Sequence, residues 1–470
     1  MGKNTTTSSS SASPAGGSGG ALFKTKAGVI AATLGSAVGL GSIWRFPAEA
    51  QANGGGAFLL LYLACVLVLG IPVMLAETSL GRAGRADAVG SYMKLAPGKH
   101  WWIAGALGVL ASYLIISFYM VVAGWTLQYL WDSISGALYD GAVSESALAL
   151  ESTFHHRMER YIGSDMAPLI STFVMIALNA GVLMMGVQKG IERASNIMMP
   201  LLFVLLLIFS IYALTLPGAG EGLEFFFRPD FSKITWSVAA NALGQTFFSL
   251  SLGIGILITY ASYYPSSTNL VSTSVTVSVL TTFVAVMMGV IIFPTVFSFN
   301  LDLSQLRGTT LVFVTLPEVF SQMPGGRWWS VLFFLLLLVA ALTSTISLSE
   351  VSILFVQKRF RRSRVAATLI MMCPLFLFSA LCSLSFGSLA DLKLFGLTIF
   401  NFLDTFTTNW LLPVCAFCTV IFMGWFAPRG TLRDQVTDRG TVATRLYPAI
   451  CFIVRWVAPV LILVILITSI

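Results

Sequence analysis

Gly35-Ser36-Ala37-Val38-Gly39-Leu40-Gly41-Ser42 lies in the middle of the first long apolar run of the chain. It holds three glycines in seven residues, and each weakens a helix by about 1 kcal/mol relative to alanine. Ser249-Leu250-Ser251-Leu252-Gly253-Ile254-Gly255 repeats this mix of glycines and hydroxyls in the sixth apolar run. The Gly35–Gly39 spacing also suits close packing of two helices. The two stretches lie five runs apart, however. Interrupted segments at corresponding places in two halves point to a solute site near the bilayer midplane. Five runs per half is an odd number, so the halves insert with opposite topology. A nucleotide-binding glycine loop is excluded, because no strand precedes the glycines.

The surrounding runs read as membrane helices. Eleven apolar stretches cover 27–50, 57–80, 103–131, 167–187, 193–216, 236–262, 270–299, 328–357, 365–387, 395–426 and 446–469. About 20 helical residues cross a 30 Å hydrocarbon core. Backbone exposed to lipid has to bond within its own segment, which requires helices. A barrel is excluded because the runs are continuous rather than alternating. Of 470 residues, 56% are apolar and 10% charged, with mean hydropathy +0.86. Such a chain cannot cover a water-soluble surface, which excludes soluble enzymes, nucleic-acid binders and disordered scaffolds. The expected class is an all-α membrane protein. Residues 1–22 read as a disordered Ser/Thr/Gly/Ala tail. The helices divide into a first repeat at 23–216, a second at 236–426 and an eleventh helix at 446–470.

Basic residues set the expected orientation. With the N-terminus in the cytoplasm, inside segments hold 18 of the 27 Lys and Arg, outside segments seven, and spans two, Arg45 and Arg455. The C-terminus then lies outside, and the protein is a multi-pass protein of the cell (inner) membrane. The net charge of +7 is mostly this topology signal, with an anionic-lipid component. The six cysteines lie in or beside apolar runs, and Cys415–Cys418 has no second ligand pair for a metal. His100, His155 and His156 fall in loops or at a membrane edge, and no span pairs a nucleophile with a base, so catalysis lacks its parts.

Charges within spans are expensive. They are Arg45, Glu49, Glu77, Glu350, Asp404 and Arg455. Glu77 and Arg455 read as structural plugs that bond a neighbouring backbone. Arg45 and Asp404, of opposite sign near the outer ends of their helices, read as a gate pair. In the eighth run, Ala340-Ala341-Leu342-Thr343-Ser344-Thr345 places three hydroxyls at mid-depth. These either bond their own preceding carbonyls or ligate a cation.

With these motifs in view, the chain resembles the neurotransmitter:sodium symporter family. GSAVGLGSIWRFP (Gly35–Pro47) with NGGGAF (Asn53–Phe58) is similar to its first-helix signature, and GQTFFSLSLGIGILITYASY (Gly244–Tyr263) to its sixth helix. KGIER (Lys189–Arg193), LVFVTLP (Leu311–Pro317) and AALTST (Ala340–Thr345) follow in order. The resemblance runs from about residue 27 to 470 and implies the fold of the bacterial leucine transporter. That fold has two inverted five-helix repeats plus helix 11, with helices 1 and 6 unwound at mid-membrane. It implies a sodium site at Gly35, Val38, Ala340, Thr343 and Ser344. Substrate contacts carry over to Ala37, Leu40, Gly41, Ile115, Tyr119, Phe248, Ser249, Ser251, Ile254, Ser344 and Leu348. Tyr119 is expected to bond a substrate carboxylate and Phe248 to lid the pocket, with Arg45 and Asp404 as the outer gate.

The resemblance further implies an amino-acid substrate. Monoamine carriers have an Asp where this chain has Gly39, so here the substrate brings its own carboxylate. No charged residue lines the side-chain end among the matched positions, and Ile115, Ile254 and Leu348 favour an apolar or small neutral side chain. Three departures stand out. Ser42 and Thr281 replace the amide or acid ligands of the family's other sodium site, so the set Ala37, Ser42, Ser249 and Thr281 is a weakened second site. Helix 7 lacks the acid that frees bacterial members from chloride, which makes Tyr62, Gln245, Ser249 and Thr281 a candidate chloride site. Gly20, Phe23 and Lys358 stand where the family has an Arg, a Trp and an Asp, so the inner ion pair is missing. The expected function is sodium-coupled symport of a neutral amino acid by alternating access. The alternative is an amino-acid sensor of carrier ancestry that no longer transports. Neither needs a nucleic acid or an obligate protein partner.

Overall fold

The computed structural model describes residues 22–39, 41–140, 147–299, 308–442 and 444–468. The expected tail at 1–22 lies outside the described residues except for Leu22, and so does the candidate contact Leu40.

The chain is almost wholly helical. Helix α1 (Lys26–Ala37) begins at Thr25, whose side chain accepts from the Gly28 amide. It ends where Val38 turns extended at φ −85°, ψ 98°. A wide turn at Gly41–Arg45 leads into α2 (Phe46–Ala52), bent by 59° from α1. There follow α3 (Gly56–Gly84), α4 (Ala88–Leu95), α5 (Trp102–Ser135), α6 (Ala147–Gly163), α7 (Met166–Met184), α8 (Val187–Leu214) and α9 (Ala219–Phe227). The sixth run is also two pieces, α10 (Trp236–Ser249) and α11 (Ile256–Ser262). The remainder is α12 (Leu270–Ser298), α13 (Leu316–Gln322), α14 (Gly326–Arg359), α15 (Arg364–Leu384), α16 (Ile399–Phe426), α17 (Thr431–Val436) and α18 (Tyr447–Ile467). A small hairpin, β1 (Lys393–Leu394) with β2 (Leu397–Thr398), precedes α16.

Among the described residues, nine helices are long and apolar enough to cross a bilayer, and the bent α1–α2 pair makes a tenth. The two halves of the sixth run occupy the place of the eleventh expected span. Both interruptions fall where the glycines are, after Ala37 in the first run and at Leu250–Gly255 in the sixth. The fold is therefore the inverted-repeat architecture with helices 1 and 6 unwound. Helices α5 and α14 form the most extensively packed pair, and α1 lies against α8, α12 and α14. One end of the bundle carries Arg45 and Asp404 and is called the vestibule end. The other carries Phe23 and Arg364 and is called the basic end.

Close backbone approach fixes where the half-helices sit. At Gly81 of α3, an added Cβ would lie 2.0 Å from the Ile258 carbonyl oxygen of α11. At Gly253, where φ is +82°, it would lie 2.4 Å from the Leu412 carbonyl oxygen of α16. Overpacking of this kind costs about 1–3 kcal/mol. Gly81→Ala is therefore expected to lower the thermal midpoint of the purified protein. Gly181→Ala in α7, with nothing within 4 Å of the added carbon, is expected to leave it unchanged or raise it. Equal midpoints for the two variants would contradict the packing described.

Candidate functional site

A helix end leaves its last four carbonyls without an intrahelical donor, and in a bilayer interior there is no water to take them. At the end of α1 each has a partner. The Val38 amide donates to Leu34 O at 2.7 Å. Ser344 Oγ of α14 stands 3.3 Å from both Gly35 O and Val38 O. Ser251 Oγ donates to Ser36 O at 2.8 Å, joining the two interruptions directly. Ser42 Oγ reaches Ala37 O at 3.3 Å, and Gln245 Nε2 reaches Gly41 O at 3.2 Å. Gly35 lets α14 come close, since a Cβ there would meet the Thr343 Cβ at 3.1 Å. The two readings of the hydroxyl run divide between residues. Thr343 and Thr345 bond carbonyls of their own helix, Ala340 O and Ala341 O, both at 2.9 Å. Ser344 reaches across. Gly35, Val38, Ala340, Thr343 and Ser344 thus form one cluster of buried oxygens.

The second interruption is built from left-handed positions: Ser251 at φ +53°, Gly253 at +82° and Gly255 at +78°. Its freed Gly253 amide donates to Glu77 Oε1 at 2.7 Å. Glu77, fully buried, thus plugs a neighbouring helix's broken backbone, as its sequence suggests. Arg455 does the same for Gly424 O at 2.7 Å.

Around these breaks the candidate substrate residues converge. A Cβ at Gly39 would lie 2.3 Å from Ser344 Oγ and 2.7 Å from Tyr119 Oη. One at Gly41 would lie 2.1 Å from Cε1 of Phe248. A cavity of about 450 Å³ opens at the vestibule end and reaches Gly41, Tyr119 and Phe248. Ala37, Ile115, Ser249, Ser251, Ile254, Ser344 and Leu348 are buried beneath it and do not line it. Arg45 and Asp404 both line this cavity, but among the described residues no ion pair joins them. Arg45 instead lies 3.8 Å from Glu49 and stacks over the Phe248 ring at 4.5 Å. Thr408 Oγ1 donates to Asp404 at 3.3 Å.

Beside the first break lies a group of unsatisfied hydroxyls. Gln245 Nε2 donates to Ser249 Oγ at 2.9 Å. The Tyr62 and Thr281 hydroxyls and the Gln245 Oε1 are buried without a hydrogen-bond partner. The Thr282 hydroxyl is in the same condition, and Tyr62 faces it and Ser249. Thr282 was not legible as a site residue. Its only sequence signal is a second threonine beside Thr281.

The basic end is closed by contacts that no local motif announces. Gly20 lies outside the described residues. Phe23 is buried against Tyr260, Tyr263 and Tyr264, with ring centroids 5.9, 6.0 and 6.3 Å away, and its amide donates to Tyr263 O at 3.1 Å. The Lys24 and Thr25 amides donate to the Glu192 carboxylate at 2.9 and 3.1 Å. Arg364, which the sequence alone assigns to a loop, folds back onto Glu350. Its two terminal nitrogens donate to the carboxylate oxygens at 2.7 and 2.5 Å, and Tyr263 donates to the same carboxylate at 2.5 Å. Lys358 is exposed.

The profile of the sodium:neurotransmitter symporter family matches residues 21–147 and 143–470. An uncharacterized sodium-dependent transporter of Bacillus subtilis (strain 168) is 34% identical over 94% of this chain and 96% of its own. One of Haemophilus influenzae (strain ATCC 51907 / DSM 11121 / KW20 / Rd) is 36% identical over 93% and 95%. Among solved structures, the crystal structure of MhsT in complex with L-phenylalanine matches with a TM-score of 0.87 and 39% identity. That match covers 96% of this chain and 100% of the other. The broken helices, the oxygen cluster between them and these matches along nearly the whole length make the chain a member of the sodium:neurotransmitter symporter family, a family of sodium-dependent membrane transporters.

Proposed function

We propose that the protein is a sodium-coupled symporter of a neutral amino acid with an apolar or small side chain. The observation that carries this reading is the shared position of Ser344 Oγ, 3.3 Å from both Gly35 O and Val38 O. Those two carbonyls, the Ala340 carbonyl and the Thr343 and Ser344 hydroxyls supply hard, uncharged oxygens of the kind a small hard cation takes. Sodium binding there would tie the end of α1 to α14. Gly39 supports a substrate that brings its own carboxylate, because an aspartate there would have to displace Ser344 and Tyr119. MhsT was crystallised with an apolar amino acid, which supports the same class. The substrate carboxylate meets Tyr119 and the freed amides of the first break, and Ile115, Ile254 and Leu348 receive the side chain.

In this reading the repeats at 23–216 and 236–426 move against one another. Arg45 leaves Glu49 for Asp404 as the vestibule closes and Phe248 seals the pocket. The basic end, facing the cytoplasm, then opens by parting Phe23 and Tyr263 from their partners. One Na⁺ entering down 100 mV supplies about 2.3 kcal/mol, enough for roughly 50-fold accumulation. Ser42 and Thr281, with Ala37 and Ser249, form a weaker second cation site. The unsatisfied hydroxyls of Tyr62, Thr281 and Thr282 suit a small anion, and with Gln245 and Ser249 they would hold chloride beside it.

Thr343→Ala/Ser344→Ala is expected to abolish sodium-driven uptake of L-phenylalanine or L-leucine into proteoliposomes while the protein stays monodisperse. Full uptake by that variant would refute the site, and sodium-dependent binding without accumulation by the unmodified protein would favour a sensor. Replacing chloride by gluconate should slow uptake severalfold, and an unchanged rate would dispose of the anion site. Glu350→Gln strands a buried guanidinium and should cost about 3–5 kcal/mol of stability, with part of it restored in Glu350→Gln/Arg364→Gln. Thermal melts that fail to show this non-additivity would argue against the buried pair.

A further inference from the structure

The corner between α14 and α15 carries Lys358-Arg359-Phe360-Arg361-Arg362, all of them exposed. Lys358 faces Asp87. For the side chains of Arg359, Arg361 and Arg362, by contrast, the described residues offer no ion pair or hydrogen bond. Arg361 holds φ at +49°, a conformation that ordinarily favours glycine or asparagine, so the tight turn keeps an arginine at some conformational cost. The Phe360 ring between them is 60% exposed, and just beyond the corner Val365, Leu369 and Ile370 of α15 are 49%, 46% and 48% exposed. Three unpaired guanidiniums therefore sit where an apolar, lipid-facing helix surface begins, with an aromatic ring at the same level. The loop after α16, also basic, differs, since its Arg429, Arg433 and Arg439 are interleaved with Asp434 and Asp438.

We propose that Arg359, Arg361 and Arg362 form a binding surface for the phosphate of an anionic phospholipid headgroup, with Phe360 set among its upper acyl carbons. Guanidinium forks match phosphate oxygens, and an exposed aromatic ring suits the interfacial layer. The position gives the contact a consequence. Ser363 caps α15, and the next residue, Arg364, anchors Glu350 and through it the Tyr263 hydroxyl of α11. A lipid clamped on the corner restrains the base of the network that closes the basic end.

The test is the thermal midpoint of the full chain in phosphatidylcholine nanodiscs with and without phosphatidylglycerol. The unmodified protein is expected to gain stability with phosphatidylglycerol. Arg359→Gln/Arg361→Gln/Arg362→Gln should match it in phosphatidylcholine alone and lose most of that gain. The single variants Arg361→Gln and Arg362→Gln should each need roughly fivefold more anionic lipid for the same shift. Arg429→Gln/Arg445→Gln should keep the gain. An undiminished gain in the triple variant overturns the proposal. So does an equal loss in Arg429→Gln/Arg445→Gln, which would make the whole basic face responsible, or the same stabilisation from glycerol phosphate in free solution. The outcome does not depend on which solute the central site takes.

Discussion

Four consecutive carbonyls, from Gly35 to Val38, lose their helical donors where α1 stops. In lipid each stranded group costs several kcal/mol, and the chain cannot leave them bare. Ser344, Ser251 and Ser42 converge on them from α14, the sixth-run break and the turn beyond. This requirement ties three distant parts of the sequence to one point. It also leaves the bundle with a cluster of polar oxygens that are bonded weakly, at 3.3 Å, rather than tightly. Long, shared hydrogen bonds of this kind hold the break together without fixing it as tightly as a helical ladder would.

The second break follows the same logic with opposite polarity. There an amide is stranded, and Glu77 supplies the acceptor. The first interruption thus leaves carbonyls held by long hydroxyl contacts, and at the second the Gly253 amide is taken up by a carboxylate. At the vestibule end, Arg45 is held by Glu49 and by the face of Phe248, short of Asp404. At the basic end, aromatic packing and a buried Glu350–Arg364 pair are closed. The conformation described is thus shut at one end and accessible from the other.

The basic end is held by aromatic burial and by two carboxylates. Phe23 is buried among three tyrosines, and Glu192 holds the amides of Lys24 and Thr25. A fixed charge sits at the α14–α15 hairpin, where Glu350 receives both nitrogens of Arg364 and the Tyr263 hydroxyl. Removing one partner from so buried a carboxylate is costly.

The sequence by itself determined the number and placement of spans, the two interruptions, the hydroxyl run at 343–345 and the plug role of Glu77. These follow from composition and from the cost of glycine and charge within a helix, which are properties of short segments. Tertiary structure alone decided that Ser344 and not its neighbours crosses to α1, that Thr282 joins Tyr62, and that Arg364 belongs to Glu350 instead of to a loop. It also decided that Arg45 rests on Glu49 and Phe248. Each of those outcomes depends on the rotation and depth of one helix relative to another, which packing of whole faces sets and no local pattern encodes.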